Sequence, residues 1–419
     1  MKALLKQVIF DQQMLLHEKW VERNIPQSLI DCNEVLVISG IRRCGKSVLL
    51  QQIRAKQPEK DYCLNFDDDR LATFSVDNFQ QLYEVFIELF GEQKTFYFDE
   101  IQNIIGWELF VRRLYDKGCK VFVTGSNAKM LSRELGTHLT GRYCSYEIYP
   151  FSFSEYLDFF EINIKQDDFY STVGVANLTK YFNQYLYDGG FPQYIKSKNE
   201  IYLKSLYESI LYKDVMVRNK LNNEKEILEL VYFLASNVAK LSSYSSLSRL
   251  IGLKHPVTIK NYIEHIENTY LIFQISKYDH SLKKQLANPK KTYFIDNAIV
   301  HKLGFNITEN YGRLFENLVF IELKRRTYEV FYHSDKTECD FLIRIANKIV
   351  QAIQVCYTLN NETRSREIKG LIDALNIYNL DNGLIITTDK EEDIEISGKK
   401  ISIVPAWKWL LFNKKPKIT

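Results

Sequence analysis

The sequence predicts an α/β protein that opens with a parallel sheet flanked by helices and continues through helical segments into a smaller α/β region. Three observations support this fold class. A glycine-rich loop joins the apolar strand Val35–Ile38 to a helical pattern that begins near Val48. A later run, 95–98, has the continuous hydrophobicity of a strand buried on both faces of a parallel sheet, and a fourth strand pattern, 120–127, ends in small polar residues. From residue 155 to residue 225, apolar residues recur at helical spacing, and a strand pattern returns at 271–275.

The composition is that of a folded chain with several domains. Hydrophobic residues make up 46% and charged residues 26% of the 419 residues, which are ordinary proportions. The net charge of +3 argues against strong polyanion binding by the whole molecule. The seven cysteines form no C-x-x-C pair, so we expect free thiols in a reducing compartment rather than disulfides or a zinc site. No apolar run has the length of a membrane span, and we expect a cytoplasmic protein without a membrane partner.

The first loop has the pattern G-x-x-x-x-G-K-[ST], in which backbone N–H groups cradle phosphates. Lys46 is placed to neutralise the β- and γ-phosphate oxygens, and the Ser47 hydroxyl is placed to hold Mg²⁺. The alternative is a plain glycine turn between a core strand and a helix. We predict a nucleotide-binding loop made of Gly40, Ile41, Arg42, Arg43, Cys44, Gly45, Lys46, Ser47 and Val48.

An acid pair follows the third apolar strand. A second strand, 61–66, comes between it and the glycine loop, and the third strand, 95–98, runs directly into Asp99 and Glu100. We predict that Asp99 organises the Mg²⁺ shell and that Glu100 polarises the attacking water. The order of loop, strand, helix and acid-terminated strand makes this prediction stronger than the acid pair alone.

Polar residues after the fourth strand are further candidates for the site. Ser126 or Asn127 could contact the γ-phosphate or the water, because strand ends line ligand sites in open α/β sheets. A helix cap is the alternative for both residues. Arg142 could act as an arginine finger in trans across an oligomer interface. A surface salt bridge is the equally simple interpretation of Arg142.

Taken together, these motifs resemble the AAA-type ATPases of bacteria and archaea that pair a P-loop ATPase module with a C-terminal restriction-endonuclease-like module. The resemblance extends from about residue 17 to about residue 400. It implies ATP or ADP with Mg²⁺ as cofactors and a homo-oligomeric assembly. Besides the glycine loop, it rests on Asn65-Phe66-Asp67-Asp68, Phe98-Asp99-Glu100-Ile101-Gln102, Val123-Thr124-Gly125-Ser126, Leu139-Thr140-Gly141-Arg142, Tyr149-Pro150-Phe151-Ser152-Phe153-Ser154-Glu155-Tyr156, Gly189-Gly190-Phe191-Pro192 and Tyr293-Phe294-Ile295-Asp296.

The middle of the chain is predicted to hold a helical lid and a winged-helix-like domain. Two helices and a strand follow one another between residue 226 and about residue 275, and the second helix carries Thr258, Lys260 and Asn261 at exposed positions. Such a helix often enters a DNA groove, although many winged helices bind only protein. The basic run 283–291 is interpreted as a wing or a solubilising loop. Four predicted domains result: 1–155 (P-loop ATPase), 156–225 (helical lid), 226–305 (winged-helix-like) and 306–419 (nuclease-like).

The last domain resembles the PD-(D/E)xK nuclease fold with its catalytic set altered. Glu316 lies on the expected helix and Asp340 on the expected strand. Gln354 stands where the second acid belongs and Cys356 where the lysine belongs. Because carboxylates and a lysine together hold the cation and the attacking water, we expect a degenerate scaffold or a DNA-binding remnant.

The predicted function is Mg²⁺-dependent ATP hydrolysis, used as a conformational switch or motor, with DNA as a candidate partner of the winged helix and the last domain. ATP is favoured over GTP because no Asn-Lys-x-Asp motif is present. The main alternative is a nucleotide-regulated interaction or DNA-binding protein with little turnover. A third alternative is an ATP-controlled nuclease.

Overall fold

The computed structural model describes residues 1–14, 20–126, 139–304 and 311–412. The chain divides into two compact units. The first unit comprises residues 1–149 together with 268–270, and the second comprises 150–267 and the chain from 271 onwards. Among the helices in the described ranges, none is both long and apolar enough to cross a membrane.

The first unit is built on a parallel sheet, which confirms that part of the predicted fold class. Its five strands, counted within the described residues, are β1 (Val35–Ser39), β2 (Cys63–Asn65), β3 (Thr95–Asp99), β4 (Lys120–Gly125) and β5 (Tyr143–Glu147). Its helices are α1 (Lys2–Met14), α2 (Gln27–Ile30), α3 (Lys46–Lys56), α4 (Phe79–Phe90) and α5 (Trp107–Asp116), with short 3-10 turns at Asp69–Leu71, Val76–Asn78 and Ile101–Asn103.

The strand order is β2-β3-β4-β1-β5, and every neighbouring pair is parallel. All five side chains of β1 are buried, as expected of a central strand covered by helices on both faces. Aromatic rings fill the space between the sheet and its helices; Phe79 of α4 stacks on Phe110 of α5 with 4.5 Å between ring centroids. Because β4 lies between β1 and β3, the carboxyl ends of these three strands are adjacent. The loops that follow them therefore meet at one edge of the sheet.

The second unit begins with helices, as the predicted lid does. They are α6 (Phe153–Phe159), α7 (Thr172–Asp188), α8 (Pro192–Ser197) and α9 (Glu200–Ser209), followed by a π-helical turn at Ile210–Val217 and α10 (Glu224–Ser236). Next come β6 (Leu241–Ser242), α11 (Tyr244–Ile251), α12 (Pro256–Glu267), β7 (Ile272–Ser276), α13 (Leu282–Ala287), β8 (Lys290–Phe294) and α14 (Asn297–Leu303). Strands β6, β8 and β7 form a small antiparallel sheet beside α11 and α12.

The carboxyl-terminal part of the second unit is a six-stranded mixed sheet, counted within the described residues. Its order is β13-β14-β12-β11-β10-β9, with parallel pairing between β11, β12 and β14 and antiparallel pairing elsewhere. Its elements are α15 (Tyr311–Arg325), β9 (Glu329–Ser334), β10 (Glu338–Ile345), β11 (Lys348–Val355), α16 (Asn361–Ile377), β12 (Asn382–Thr387), β13 (Glu392–Ile396), β14 (Lys399–Pro405) and α17 (Ala406–Leu411).

The Gly-Gly motif of the second unit is explained by close packing against an acid. Asp296 accepts hydrogen bonds from the backbone N–H of Gly190 (2.6 Å) and of Ala298 (2.9 Å). A Cβ on Gly189 would lie 1.9 Å from Asp296 Oδ1, and Gly189 has a φ of +63°. Only glycine satisfies both constraints, so Gly189 and Asp296 stabilise one turn together.

The interpretation of the basic run 283–291 as a wing or loop is wrong. Lys283 and Lys284 lie in helix α13, whereas Lys290 and Lys291 lie inside strand β8 with both side chains buried. Lys290 Nζ donates to Ser276 Oγ (2.6 Å) and to the carbonyl of Gln285 (2.7 Å). A buried ammonium requires such partners because burial penalises its charge.

Candidate functional site

The glycine loop connects β1 to α3 with a tightly packed backbone. Gly45 has a φ of +104° and caps helix α3, which begins at Lys46. The free N–H groups of the first helical turn therefore face the inside of the loop, where they favour an anion. Gly40 has no room for a side chain, since a Cβ there would lie 2.2 Å from the carbonyl oxygen of Ile148.

Lys46 is buried at the start of α3, with 3% of its side chain exposed. Its Nζ donates to the carbonyl of Ile41 (3.2 Å) and lies 3.3 Å from Glu100 Oε1. Burial alone would lower the pKa of Lys46, but nearby negative charge, chiefly that of Glu100, outweighs burial and raises it. The ammonium is thus charged and directed towards the acid pair.

The acid pair is held by Thr124 near the end of β4. The Thr124 hydroxyl donates to Asp99 Oδ1 and accepts from the backbone N–H of Glu100 (2.9 Å). Burial, reinforced by the charge of Glu100, raises the pKa of Asp99, although hydrogen bonds from Thr124 and Ser47 oppose this rise. Ser47 and Asp99, the two predicted Mg²⁺ ligands, are therefore neighbours in the site.

Glu100 is held in a backbone conformation that few side chains adopt. Its φ of 50° and ψ of 40° lie in the left-handed region, where a non-glycine residue stores strain. Burial would raise the pKa of Glu100, but the charge of Lys46 and a hydrogen bond from Gln102 outweigh it, and the pKa falls below its usual value. Glu100 is therefore an ionised carboxylate at neutral pH.

Gln102 links Glu100 to Ser126, the residue predicted to contact the γ-phosphate or the water. Its Nε2 donates to Glu100 Oε2 and lies 3.4 Å from Ser126 Oγ, and both Gln102 and Ser126 are buried. Gln102 Oε1 is a buried acceptor without a hydrogen-bond partner among the described residues. Asn127, the alternative to Ser126 as a phosphate contact, lies outside the described residues.

Beneath the loop lies a buried guanidinium. Arg23 donates through Nη1 to the carbonyl of Cys44 (2.8 Å) and through Nη2 to the carbonyl of Tyr149 (2.6 Å). Its backbone N–H donates to Gln52 Oε1 of α3 at 3.0 Å. These contacts join the segment before α2, the glycine loop, and the chain after β5, so Arg23 fixes the loop from below.

Arg142 lies apart from this group. It immediately precedes β5, whose first residue Tyr143 pairs with Val35 at the amino end of β1. Because β1 and β5 are parallel, Arg142 stands at the opposite edge of the sheet from the loop. Its Nε lies 3.3 Å from Asp116 Oδ1.

The structure thus brings together most of the residues singled out from the sequence. Within the loop, Ile41 and Cys44 are buried, whereas Arg43, Ser47 and Val48 are exposed. Thr124, Gln102 and Arg23 belong to the same site and were not assigned a role from the sequence. Gln102 and Thr124 stand in recognisable motifs, but Arg23 carries no sequence signal.

Residues 32–157 match the family model described as an AAA domain. Residues 179–310 and 311–409 match two domains of unknown function, DUF8612 and DUF4143.

Two relatives resemble the chain over nearly its whole length. An uncharacterized protein of Methanocaldococcus jannaschii is 38% identical over 98% of this chain and 96% of its own. An uncharacterized protein of Haemophilus influenzae is 32% identical over 92% of this chain and 97% of its own.

Solved structures give a weaker likeness. AMPPCP-bound DnaA from Aquifex aeolicus is 15% identical, with a TM-score of 0.23 over 57% of this chain and 85% of its own. Cdc6p from Pyrobaculum aerophilum is 12% identical, with a TM-score of 0.27 over 70% of this chain and 97% of its own. TM-scores this low carry no argument about function. The family model and the two long relatives establish that the chain belongs to the family of these archaeal and bacterial proteins, with an AAA-type P-loop domain in its N-terminal part.

Proposed function

We propose that the protein binds ATP with Mg²⁺ and hydrolyses it. The observation that carries this proposal is the convergence of Lys46, Asp99 and Glu100 at the carboxyl ends of two strands, beside the free N–H groups of α3. A helix N-terminus and a buried ammonium attract a polyphosphate, and two carboxylates beside them serve a cation and a water molecule.

The residues present fit a magnesium ion. Ser47 and Asp99 offer neighbouring oxygen ligands, and Mg²⁺ prefers carboxylate and hydroxyl oxygens with several retained waters. A bound cation would neutralise charge on the phosphates. It would also favour the ionised form of Asp99, which burial disfavours in its absence.

Glu100 is the residue best placed to take a proton from the attacking water. Its carboxylate is ionised, half-buried and oriented by Gln102, and the unpartnered Gln102 Oε1 offers one more acceptor for that water. Lys46 contacts Glu100 in this structure. We infer that phosphate oxygens replace Glu100 as the partner of Lys46 and release the carboxylate for the reaction.

Replacing Lys46 with methionine tests nucleotide binding. Lys46→Met keeps most of the side-chain volume and removes the ammonium, so ATP affinity is expected to fall at least ~10-fold, since hydrogen bonds to charged groups contribute about 1.5–3 kcal/mol. Titration calorimetry with ATP and Mg²⁺ measures the change. The matched control is Lys56→Met, which alters an exposed lysine at the far end of the same helix. Equal affinity in wild type and Lys46→Met would contradict the proposal.

Whether ATP drives a switch or a motor depends on turnover and assembly. A slow single turnover with ATP retained would favour a nucleotide-regulated interaction protein.

Arg142 stands at the sheet edge opposite its own loop, so a second copy of the chain would have to supply it to a nucleotide. Light scattering with and without ATP measures that association.

We further propose that helix α12 contacts DNA. Its buried side includes Ile259 and Ile263, while Lys260 and Asn261 are exposed. Exposed lysines and asparagines on such a helix suit phosphate and base contacts. Thr258, on the same helix, is half-buried and is a weaker candidate for this contact.

Fluorescence anisotropy with duplex DNA at low salt tests this contact. Lys260→Ala is expected to weaken binding and to reduce its salt dependence by about one counterion, because each phosphate contact releases roughly one. Lys225→Ala on α10 is the control, since Lys225 forms the same kind of i,i+4 pair with a glutamate at 3.8 Å as Lys260 does. Absence of binding, or equal losses in both variants, would refute the assignment.

A further inference from the structure

The strongest cluster of charged side chains outside the nucleotide site surrounds Lys291 in the second unit. Lys291 lies on β8 with 4% of its side chain exposed. Its Nζ is 3.1 Å from Glu316 Oε1, 2.9 Å from Glu338 Oε1 and 3.2 Å from Asp340 Oδ1. One ammonium thus contacts carboxylates from α15 and from β10. Glu316 and Asp340 are the two acids that the sequence aligned with a nuclease centre.

Further groups of the protein also hold the acids of this cluster. The Tyr293 hydroxyl donates to Glu316 Oε1 (2.6 Å). Asp340 Oδ2 accepts from the backbone N–H of Val355 (3.0 Å). Gln354 accepts from the backbone N–H of Asp340 (3.3 Å) and donates to Glu367. The carboxylates are therefore held in place without any external ligand.

A divalent metal does not fit this arrangement. A nuclease of the resembled fold needs carboxylates facing a free position for the cation. Here the ammonium of Lys291 stands between those carboxylates and already supplies a positive charge at hydrogen-bond distance. Across the described parts of the chain, no group of three or more histidine, cysteine, aspartate or glutamate side chains is arranged to hold a metal ion.

We propose that the Lys291 ammonium is the resident cation of this cluster and takes the place of a divalent metal. The ion pairs of Lys291 connect β8 to α15 and β10, and this part of the second unit keeps its structure in the absence of metal. The same ammonium denies the cluster the cation position that phosphodiester cleavage requires. A centre that binds no metal does not need the acid expected at position 354 or the lysine expected at position 356. The presence of Gln354 and Cys356 there is consistent with this.

Counting bound Mn²⁺ by electron paramagnetic resonance tests the proposal on the full chain without nucleotide. Lys291→Met removes the charge and keeps the volume, so it is expected to gain one bound Mn²⁺ per chain relative to wild type. Lys291→Arg keeps a cation in place and is expected to gain none. The double variant Lys291→Met/Asp340→Asn is expected to lose the gain, which assigns the new ion to this cluster. Any Mn²⁺ held at Ser47 and Asp99 is common to all variants and cancels in the comparison.

Two results would overturn the proposal. One is a folded Lys291→Met protein, judged by its circular dichroism spectrum, that binds no more Mn²⁺ than wild type. The other is Mn²⁺ binding by the wild type that Asp340→Asn abolishes, because the cluster would then hold a metal beside Lys291. If Lys291→Met does not fold, the comparison of wild type with Asp340→Asn decides alone: equal Mn²⁺ counts support the resident ammonium.

Discussion

The Glu100→Gln variant is expected to hydrolyse ATP ~10²- to 10⁴-fold more slowly than the wild type, the range typical of losing a general base. Glutamine has the same shape as glutamate but cannot accept the proton of the attacking water. It can adopt the same left-handed backbone conformation as Glu100 with similar strain, so the local fold should persist. ATP binding should remain, because the Lys46 ammonium is released from its ion pair with Glu100. Phosphate release at saturating ATP measures turnover, and calorimetry measures binding.

A matched control separates this loss from a general effect of charge. Glu92→Gln removes one carboxylate from an exposed position ahead of β3 and should leave turnover unchanged. Equal turnover in the wild type and Glu100→Gln would remove Glu100 as the base. Loss of both turnover and ATP binding would instead assign Glu100 a structural role beside Lys46.

The parallel sheet could be predicted because its information is local. Strands β1, β3 and β4 each contain three or more consecutive apolar residues, and the residues of the site follow directly in sequence. Hydrophobic runs of this length are typical of strands buried on both faces. The glycine loop and the acid pair could be found for the same reason, since each lies beside its strand in the sequence.

The supporting residues could not be predicted because their contacts depend on strand order. Thr124 reaches Asp99 and Glu100 only because β4 inserts between β1 and β3. Arg23 reaches the carbonyl of Tyr149 across 126 positions of sequence. Arg142 shows the same dependence on strand order: its strand begins at the other edge of the sheet, so a role at a nucleotide could come only in trans, as predicted from the sequence.

Lys291 shows how a charged residue can be misassigned from composition. Consecutive lysines usually lie in a solvated loop. No acidic residue close to Lys291 in the sequence suggested that it would be buried in an ion pair. Its partners Glu316 and Asp340 lie 25 and 49 positions away and belong to a helix and a strand of a different sheet. Burial of a lysine becomes acceptable only when such distant carboxylates converge on it, which a linear pattern does not reveal.

The Gly40→Ala variant is expected to lose ATP binding and to unfold at a lower temperature than the wild type. The added Cβ would lie 2.2 Å from the carbonyl oxygen of Ile148 and 3.1 Å from Cys44 Sγ. The chain at Ile148 cannot withdraw easily, because its N–H donates to the carbonyl of Ser39 at 2.8 Å. Overpacking of this kind costs about 1–3 kcal/mol of unfolding free energy. The loop must also shift to relieve this clash, and the shift is expected to disrupt the phosphate cradle.

Gly141→Ala isolates the clash from the general cost of placing alanine at a positive φ. Gly141 has a φ of +71°, yet an added Cβ would meet nothing within 4 Å. It should therefore lose only the ~1–2 kcal/mol of a left-handed alanine and retain full ATP affinity. Thermal melting followed by circular dichroism and ATP titration of both variants distinguishes the two effects. If Gly40→Ala melts like Gly141→Ala and still binds ATP, the loop tolerates a side chain, and tight packing at Gly40 is not what shapes the nucleotide site.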